Sequence, residues 1–280
     1  MSGAETCFIC VTCGVQYPPA AAPPGRCPVC EDGRQYVGWA GQRWTTLEAL
    51  RADHVNRVDE LEPGLTGIGT EPSFAIGQRA LLVRTPEGNV LWDCITLLDQ
   101  ATVAAVHELG GIAAIAISHP HYYSSMVEWA RTFGAAVHLH DADRRWVMRP
   151  DPVIRFFSGD EVALPGGLTL LRLGGHFPGA TVLHWPDGAG GRGALLAGDV
   201  LQVVQDRRYV SFMYSYPNLV PLPGHIVDRM ARRVGRLRFD RIYGAWWERV
   251  VDRDGRAAVE RSAQRYLAAL RCEADELELP

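Results

Sequence analysis

The chain has 280 residues, of which 47% are hydrophobic and 21% charged, and these values are ordinary for a soluble globular protein with a sizeable core. A formal net charge of −4 argues against a nucleic-acid surface, which needs a concentrated basic patch. No apolar run reaches the roughly 18 to 20 residues that span a bilayer, and the first residues lack the basic start and apolar stretch of a signal peptide. We therefore expect a cytoplasmic protein that acts neither on nucleic acid nor in a membrane.

Four cysteines near the start of the chain form two C-x-x-C pairs, Cys10 with Cys13 and Cys27 with Cys30. Each pair can bind a metal ion from a tight turn, and two pairs complete a tetrahedral four-cysteine zinc site. Gly14 allows a positive φ where the backbone turns back over the sulfurs. Cys7 offers a rival pairing with Cys10, but the equal spacing of the two pairs favours Cys10 with Cys13. Disulfides are the alternative, and they are disfavoured in a cytoplasmic chain.

The cysteines predict a small zinc-ribbon module over residues 1–45, followed by a larger domain over residues 46–280. No basic, aromatic-rich surface accompanies the cysteines. We therefore expect their zinc to stabilise the fold or support a protein contact, and to be independent of catalysis.

Strand and helix signals alternate through the larger domain. The turn Pro-Glu-Gly-Asn separates the strands ALLVRT and VLWDC, and Asp99 caps a helix that ends before Gly110. The apolar run IAAIAI is typical of a strand buried on both faces. The elements expected after it are a helix from about Ser124 to Phe133, the strand AAVHLH, a short helix ADRRWVM, strands near Leu168–Leu173, Thr181–Trp185 and Ala194–Ala197, a helix after Pro223, the strand RFDRIYGA and a final helix to about Arg271. This order fits two sheets with helices outside them.

Three loops carry residues that can bind a metal ion, and each follows or opens a predicted strand. His119 and His121 come directly after IAAIAI, His176 lies in LGGHFPGA, and Asp199 follows GALLAG. Loops at strand ends carry the chemistry in sheet folds, so these side chains could converge on one ion. A second His-x-His pair, ending at His140, continues a strand into a helix and is expected to be structural.

The set SHPH, GGHFPGA and LLAGD resembles the metallo-β-lactamase superfamily, whose motifs are H-x-H-x-D-H, G-H-T-P-G and a G-D loop. The resemblance covers roughly residues 65 to 250 and implies an α/β fold of four layers, αββα, with the metal at the edge of the sheet sandwich. The ligands that it implies are His119, His121, His176 and Asp199.

The sequence departs from the family pattern at the second metal site. Tyr123 and Ser124 stand where the motif has Asp and His, and a further family histidine is missing from the stretch Ala-Trp-Trp-Glu at residues 245–248. Three imidazoles and one carboxylate suffice to hold one zinc ion. We therefore expect a single-metal site, with Fe²⁺ as the alternative ion.

A metal ion held in this way polarises a carbonyl group and activates water, which favours a hydrolase of a small ester, lactone, thioester or amide. Asp199 is the candidate for orienting the water. Tyr123 is the candidate for binding an oxyanion, because a phenol with a pKa near 10 is a poor base. Aromatic residues after Asp199 suggest a substrate-binding wall, with core packing as the alternative. Its members would be Tyr214, Tyr216, Asn218 and Trp246.

Two other functions fit the same residues. His119, His176 and Asp199 contain the facial triad of a mononuclear non-haem iron oxygenase, although His121 would leave fewer open positions for oxygen. The chain could also be a non-catalytic binding protein whose zinc ribbon docks a partner. Metal analysis separates the three, because zinc in both sites favours hydrolysis, one iron favours oxygenation, and zinc at the cysteines alone favours binding.

Overall fold

The computed structural model of the protein describes residues 5–271. Its N-terminal elements are β1 (Thr6–Cys10), β2 (Gln16–Ala20), α1 (Pro28–Glu31) and β3 (Trp44–Thr45). The strands form a small antiparallel sheet in the order β2-β1-β3. Gly14 makes the turn between β1 and β2 at φ 77°, which confirms the predicted positive φ. We call residues 5–45 the cysteine module.

The first large sheet has seven strands. They are β4 (Val55–Glu62), β5 (Leu65–Glu71), β6 (Arg79–Val83), β7 (Val90–Trp92), β8 (Ala114–Ala116), β9 (Ala136–His140) and β10 (Ile154–Phe157). Three helices belong to this half of the chain: α2 (Leu47–Asp53) precedes β4, α3 (Gln100–Glu108) follows β7, and α4 (Met126–Phe133) follows β8. The order is β10-β9-β8-β7-β6-β5-β4, antiparallel from β4 to β7 and parallel from β7 to β10. The parallel half places the carboxyl ends of β8 and β9 at one edge of the sheet.

The second large sheet has six strands in the order β11-β12-β13-β14-β19-β20. They are β11 (Glu161–Ala163), β12 (Thr169–Arg172), β13 (Thr181–Trp185), β14 (Ala194–Gly198), β19 (Arg241–Gly244) and β20 (Val250–Val251). The helices of this half are α5 (Gly188–Gly191), α6 (Gly224–Val234) and α7 (Gly255–Leu270). Two hairpins lie between β14 and α6: β15 (Gln202–Val203) with β16 (Val210–Ser211), and β17 (Met213–Ser215) with β18 (Val220–Pro221).

Apolar side chains bury the facing surfaces of the two large sheets against each other. Trp92 of the first sheet and Leu183 and Leu196 of the second belong to one buried cluster. A larger cluster includes residues of the outer helices, among them Trp129 of α4 and Met230 of α6. The result is the order helix, sheet, sheet, helix, which confirms the α/β fold class expected from the sequence.

The cysteine module packs directly on the larger body. Its buried residues Cys13, Val15 and Val29 share one apolar cluster with Met126 and Val127 of α4. The division into residues 1–45 and 46–280 stays a prediction, since the packing across it is continuous. Within residues 5–271, no helix combines the length and the apolar character that crossing a membrane requires.

Candidate metal centre

Two of the predicted ligands are positioned by the loop after β8. The backbone is fully extended at His119 (φ −169°, ψ 171°), and a single 3₁₀ turn over Pro120–Tyr122 follows. This geometry brings the rings of His119 and His121 within 5.2 Å of each other, centroid to centroid. Both side chains are buried.

The other two predicted ligands follow glycines with positive φ. Gly175 (φ 81°) precedes His176 in the turn between β12 and β13, and a Cβ there would lie 2.6 Å from the sulfur of Met230. Gly198 (φ 56°) ends β14 directly before Asp199. A side chain at either glycine would strain the turn that aims the next residue inwards.

The three imidazoles form one compact set. Their ligand atoms all lie within 4.8 Å of one another. Nε2 of His176 lies 3.2 Å from Nδ1 of His121. Oδ1 of Asp199 approaches from one side, 3.3 Å from Nε2 of His119. The structure thus brings together all four residues that the resemblance implied. Asp199 approaches His119, whereas the three histidines all lie close to one another.

Hydrogen bonds on the far side of two rings fix their orientation. Nδ1 of His176 lies 3.2 Å from the backbone oxygen of Met213 and can only donate to it, which leaves the Nε2 lone pair facing His121. Nδ1 of His119 lies 2.9 Å from Oγ of Ser118, which leaves its Nε2 facing Asp199. Such outer partners are what orient the histidine ligands of metal sites.

Burial keeps the histidines neutral. It lowers the pKa values of His119, His121 and His176, and the neighbouring imidazoles lower those of His119 and His121 further. Burial also raises the pKa of Asp199, against which His176 acts to lower it. Neutral imidazoles have the lone pair that a metal ligand needs.

The residues present fit a metal ion. Nε2 of His119 and Oδ1 of Asp199 are buried and face each other, yet neither makes a hydrogen bond to any residue that the structure describes. Ligands at about 2.1 Å from a tetrahedral zinc ion lie about 3.4 Å apart. The observed separations of 3.2 and 3.3 Å are close to this value. A cation shared by these atoms would satisfy both orphaned groups.

The residues that replace the second metal site point elsewhere. Tyr123 lines a small cavity together with Val15 and Met148, between the cysteine module and the larger body. Oγ of Ser124 accepts a hydrogen bond from Nε2 of Gln78 (3.1 Å) and can donate to a backbone oxygen. No described contact joins Tyr123 to the histidines, so its predicted role as an oxyanion-binding residue gains no support.

Tyr122 lies beside the histidines, where Tyr123 was predicted to lie. Its ring lies 4.4 Å from that of His119, centroid to centroid, and its phenol oxygen is buried without a hydrogen-bond partner among the described residues. Burial raises its pKa, and the charge of Asp199 raises it further. Nothing in the sequence favours Tyr122 over Tyr123, because the direction of each side chain depends on the 3₁₀ turn.

Only part of the predicted aromatic wall reaches the histidines. The ring of Tyr216 lies 5.7 Å from that of His176, and its hydroxyl donates to the backbone oxygen of Asp199 (2.8 Å). Asn218 instead donates to backbone oxygens of the cysteine module, at Gly33 and Gln35. Nε1 of Trp246 donates to the backbone oxygen of Ile76 (3.1 Å). Asn218 and Trp246 therefore have structural partners, and their role in substrate binding stays a prediction.

The four predicted cysteines converge on a second site, and Cys7 lies outside it. Sγ of Cys10 lies 3.5 Å from that of Cys30, and Sγ of Cys13 lies 3.7 Å from that of Cys27. A disulfide would require about 2.05 Å. Sulfur ligands at about 2.3 Å from a tetrahedral zinc ion lie about 3.8 Å apart, so the spacing fits a metal ion.

Sequence reasoning missed one residue near the histidines, Arg34. It is only 8% exposed, and its Cζ lies 4.4 Å from the centroid of the Phe177 ring and 4.7 Å from that of Tyr214. The ring of Phe177 in turn lies 4.9 Å from that of His121. Nothing local in the sequence links Arg34 to the histidine loops, since the approach depends on how the cysteine module packs.

The chain is similar in sequence to a bacterial protein over almost its whole length. No protein-family model matches the chain. It is 51% identical over 268 residues to the uncharacterized protein YmaE of Bacillus subtilis (strain 168), across 95% of this chain and 97% of YmaE.

Solved metallo-β-lactamases share the fold. One, described as the first B3 metallo-β-lactamase with an active-site glutamic acid, has a TM-score of 0.53 at 20% identity, over 84% of this chain and 97% of the other. Another, from Pontibacter korlensis, has a TM-score of 0.54 at 14% identity, over 77% of this chain and 99% of the other. These likenesses confirm the metallo-β-lactamase fold that the motifs implied.

Proposed function

We propose that this chain, which belongs to the family of the uncharacterized protein YmaE of Bacillus subtilis, is a metal-dependent hydrolase of a small ester, lactone, thioester or amide. The histidine site would hold one metal ion, most readily zinc, through His119, His121, His176 and Asp199. A separate zinc ion would be held by the four cysteines.

One observation carries the proposal: two buried atoms that can bind a metal ion face each other without hydrogen-bond partners among the described residues. Nε2 of His119 and Oδ1 of Asp199 are buried, 3.3 Å apart and without hydrogen bonds to described residues. Leaving two buried polar atoms unpaired costs about 1–3 kcal/mol each, which a shared cation would remove. A set of neutral imidazoles with one carboxylate is the donor chemistry that zinc prefers.

A single ion is favoured because the second site lacks donors. Tyr123 lines a cavity beside the cysteine module, and Oγ of Ser124 accepts a hydrogen bond from Gln78. Nε1 of Trp246, in the stretch where the family has a further histidine, donates to a backbone oxygen. These neutral groups are weak ligands compared with the carboxylate and imidazoles that they replace.

The bound ion would polarise the substrate carbonyl and lower the pKa of water. Two residues of this chain would transfer the proton and stabilise the oxyanion. Asp199 would bind the ion through one carboxylate oxygen, and its other oxygen would accept a proton from the attacking water and pass it to the leaving group when the bond to the carbonyl carbon breaks. The buried phenol of Tyr122 donates to the oxyanion that forms on the carbonyl oxygen.

Burial of the site favours a small substrate. His119 and His176 are 1% exposed, and Asp199 is 5% exposed. Tyr216 closes one side against His176. Excluding bulk water strengthens the hydrogen bond that Tyr122 would donate to the developing oxyanion.

The proposal is tested on the full-length protein loaded with zinc. Metal content is measured by mass spectrometry, and hydrolysis is measured with a neutral nitrophenyl ester, a thioester and a lactone. His119→Ala should lose one metal equivalent and reduce kcat/KM by at least about 100-fold. His107→Ala is the matched control, because His107 is exposed on α3 and packs only against Phe133 among the described aromatic contacts.

Two outcomes would overturn the proposed hydrolase function. One is zinc bound at the histidines with no hydrolysis above that of His119→Ala on any substrate. The other is one iron per chain at the histidines with oxygen consumption, which would favour an oxygenase.

A further inference from the structure

Arg34 places a positive charge beside the histidine site although it belongs to the cysteine module. Its guanidinium stacks on the ring of Phe177 at 4.4 Å. That ring lies 5.6, 4.9 and 5.2 Å from the rings of His119, His121 and His176. Phe177 therefore packs against both the guanidinium and all three imidazoles.

The fold of the cysteine module fixes this position. Arg34 follows α1, which contains Cys30, after a short turn. Its backbone N donates to Oδ1 of Asp32 (3.0 Å), and its backbone oxygen accepts from Oγ of Ser215 (3.0 Å). The turn is thus held both by the module and by the hairpin that carries Tyr214 and Tyr216.

The guanidinium has one buried donor that no described residue accepts from. Nη1 donates to Oδ1 of Asp32 (2.7 Å), and the two side chains form an ion pair. Nε is buried and has no hydrogen-bond partner among the described residues. Another nearby acid, Asp143, already accepts from the backbone N of Gly179 (2.9 Å). A buried donor without an acceptor is costly, so the arrangement favours a further hydrogen-bond acceptor at Nε.

A carboxylate has the right chemistry for that group. Guanidinium groups bind carboxylate oxygens through paired, charge-assisted hydrogen bonds. Stacking between Phe177 and Tyr214 holds the plane of Arg34 and lowers the entropy lost on binding.

We propose that Arg34 is a substrate-binding residue that recognises a carboxylate of the substrate next to the bond that is cleaved at the histidine site. The cysteine module is then part of the active site rather than only a structural appendage. This inference rests on the proposed hydrolase function. It goes beyond that function by assigning the substrate to the carboxylate-bearing esters, thioesters, lactones or amides.

The first test compares two esters of similar size, 4-nitrophenyl hydrogen succinate and the neutral 4-nitrophenyl butyrate. The wild-type protein should favour the succinate ester, and Arg34→Gln should lower this kcat/KM ratio by about tenfold or more. Arg34→Lys keeps the positive charge but not the paired donors of the guanidinium, so it should retain part of the preference for the succinate ester. Arg26→Gln is the control on the same module, because the Arg26 side chain is 76% exposed, and its ratio should stay unchanged.

A merely structural Arg34 would lower both activities together and leave the ratio intact. That result would overturn the inference. Metal content and thermal melting of each variant show whether it is folded and loaded, so a general loss of structure is recognised as such.

Binding without turnover separates this inference from the hydrolase proposal. Benzoate and its neutral isostere benzamide are titrated into the zinc-loaded full chain by calorimetry. Benzoate should bind the wild type at least about tenfold more tightly than Arg34→Gln, and benzamide should not distinguish them. Benzoate that binds both proteins alike, or neither, overturns the role of Arg34. Arg34-dependent binding without any ester hydrolysis would overturn the hydrolase proposal alone.

Discussion

Replacing Cys13 by serine tests whether a metal ion at the four cysteines holds the module against the body. Sγ of Cys13 faces Sγ of Cys27 at 3.7 Å, inside a fully buried cluster. A serine hydroxyl is a poor zinc ligand, and three remaining thiolates would not complete the tetrahedron. We expect the metal content to fall by one equivalent.

The size of the destabilisation follows from the contacts that the module makes. Its backbone is joined to the body at Gly14 by Oγ1 of Thr96 and at Gln16 by the backbone oxygen of Ser124, both at 3.0 Å. Oγ of Ser215 adds a third bond, also 3.0 Å, to Arg34. At about 1 kcal/mol for each net hydrogen bond, losing these three bonds alone should cost about 3 kcal/mol of unfolding free energy.

The assay is urea denaturation followed by circular dichroism, with metal content measured on the same samples. A loss of about 3 kcal/mol lowers the urea midpoint by about 1–2 M. Cys7→Ser is the matched control, because Cys7 lies outside the four-cysteine group and should leave both quantities unchanged. Unchanged metal content in Cys13→Ser, or loss of metal in Cys7→Ser instead, would refute the reasoning.

Three further predictions concern the histidine site and its surroundings. Tyr122→Phe should lower kcat by about 10-fold or more, because Tyr122 contacts His119. Tyr123→Phe should change kcat little, and steady-state kinetics of both variants measures the difference. Burial raises the pKa of Asp143 to about 6, so its contribution to stability is present at low pH and is lost as the pH rises through 6. From pH 5 to 7.5 the wild type should therefore lose about 1.4 kcal/mol relative to Asp143→Asn in urea denaturation, and parallel curves would contradict this. Gly175→Ala should cost about 3 kcal/mol in the same assay, because φ is 81° and the Cβ would meet Met230.

Much of the fold follows from local patterns in the sequence. Asp99 caps α3 by accepting from the backbone N of Thr102, as predicted. The predicted end of α4 at Phe133 is also confirmed, and Gly134 follows it in the left-handed conformation. Periodicity alone did not fix the order of strands in either sheet. The three loop motifs implied only the four-layer arrangement, through the resemblance that they carry, and the strands near them were predicted to within a few residues.

The ligand loops were predictable because each lies beside a strand end and carries its ligand at a fixed position. Side-chain direction within a turn was not predictable in this way. The 3₁₀ turn after His119 brings Tyr122, and not Tyr123, to the histidines. The second His-x-His pair shows the same dependence on local geometry: Nδ1 of His140 accepts from Ala142, and Nε2 lies 3.0 Å from the backbone oxygen of Gly159, so both ring nitrogens are occupied.

Contacts between distant parts of the chain were the least predictable. The zinc of the cysteine module is predicted to be independent of catalysis, and no motif indicated that Arg34 of this module stacks on Phe177 beside the histidine site. Asn218, predicted in the substrate wall, also donates to backbone oxygens of the module at Gly33 and Gln35, and these contacts were not predicted. Such packing depends on surfaces that meet only after both parts have folded, and no short motif records it.

Anomalous scattering from crystals of the zinc-loaded protein, measured on both sides of the zinc edge, tests the central claim most directly. The proposed single-metal site predicts one peak among His119, His121, His176 and Asp199, and a second peak among the four cysteines. Nitrogen ligands should lie at about 2.1 Å from the first ion and sulfur ligands at about 2.3 Å from the second. Two fully occupied ions at the histidines, or none under metal-replete conditions, would contradict the account.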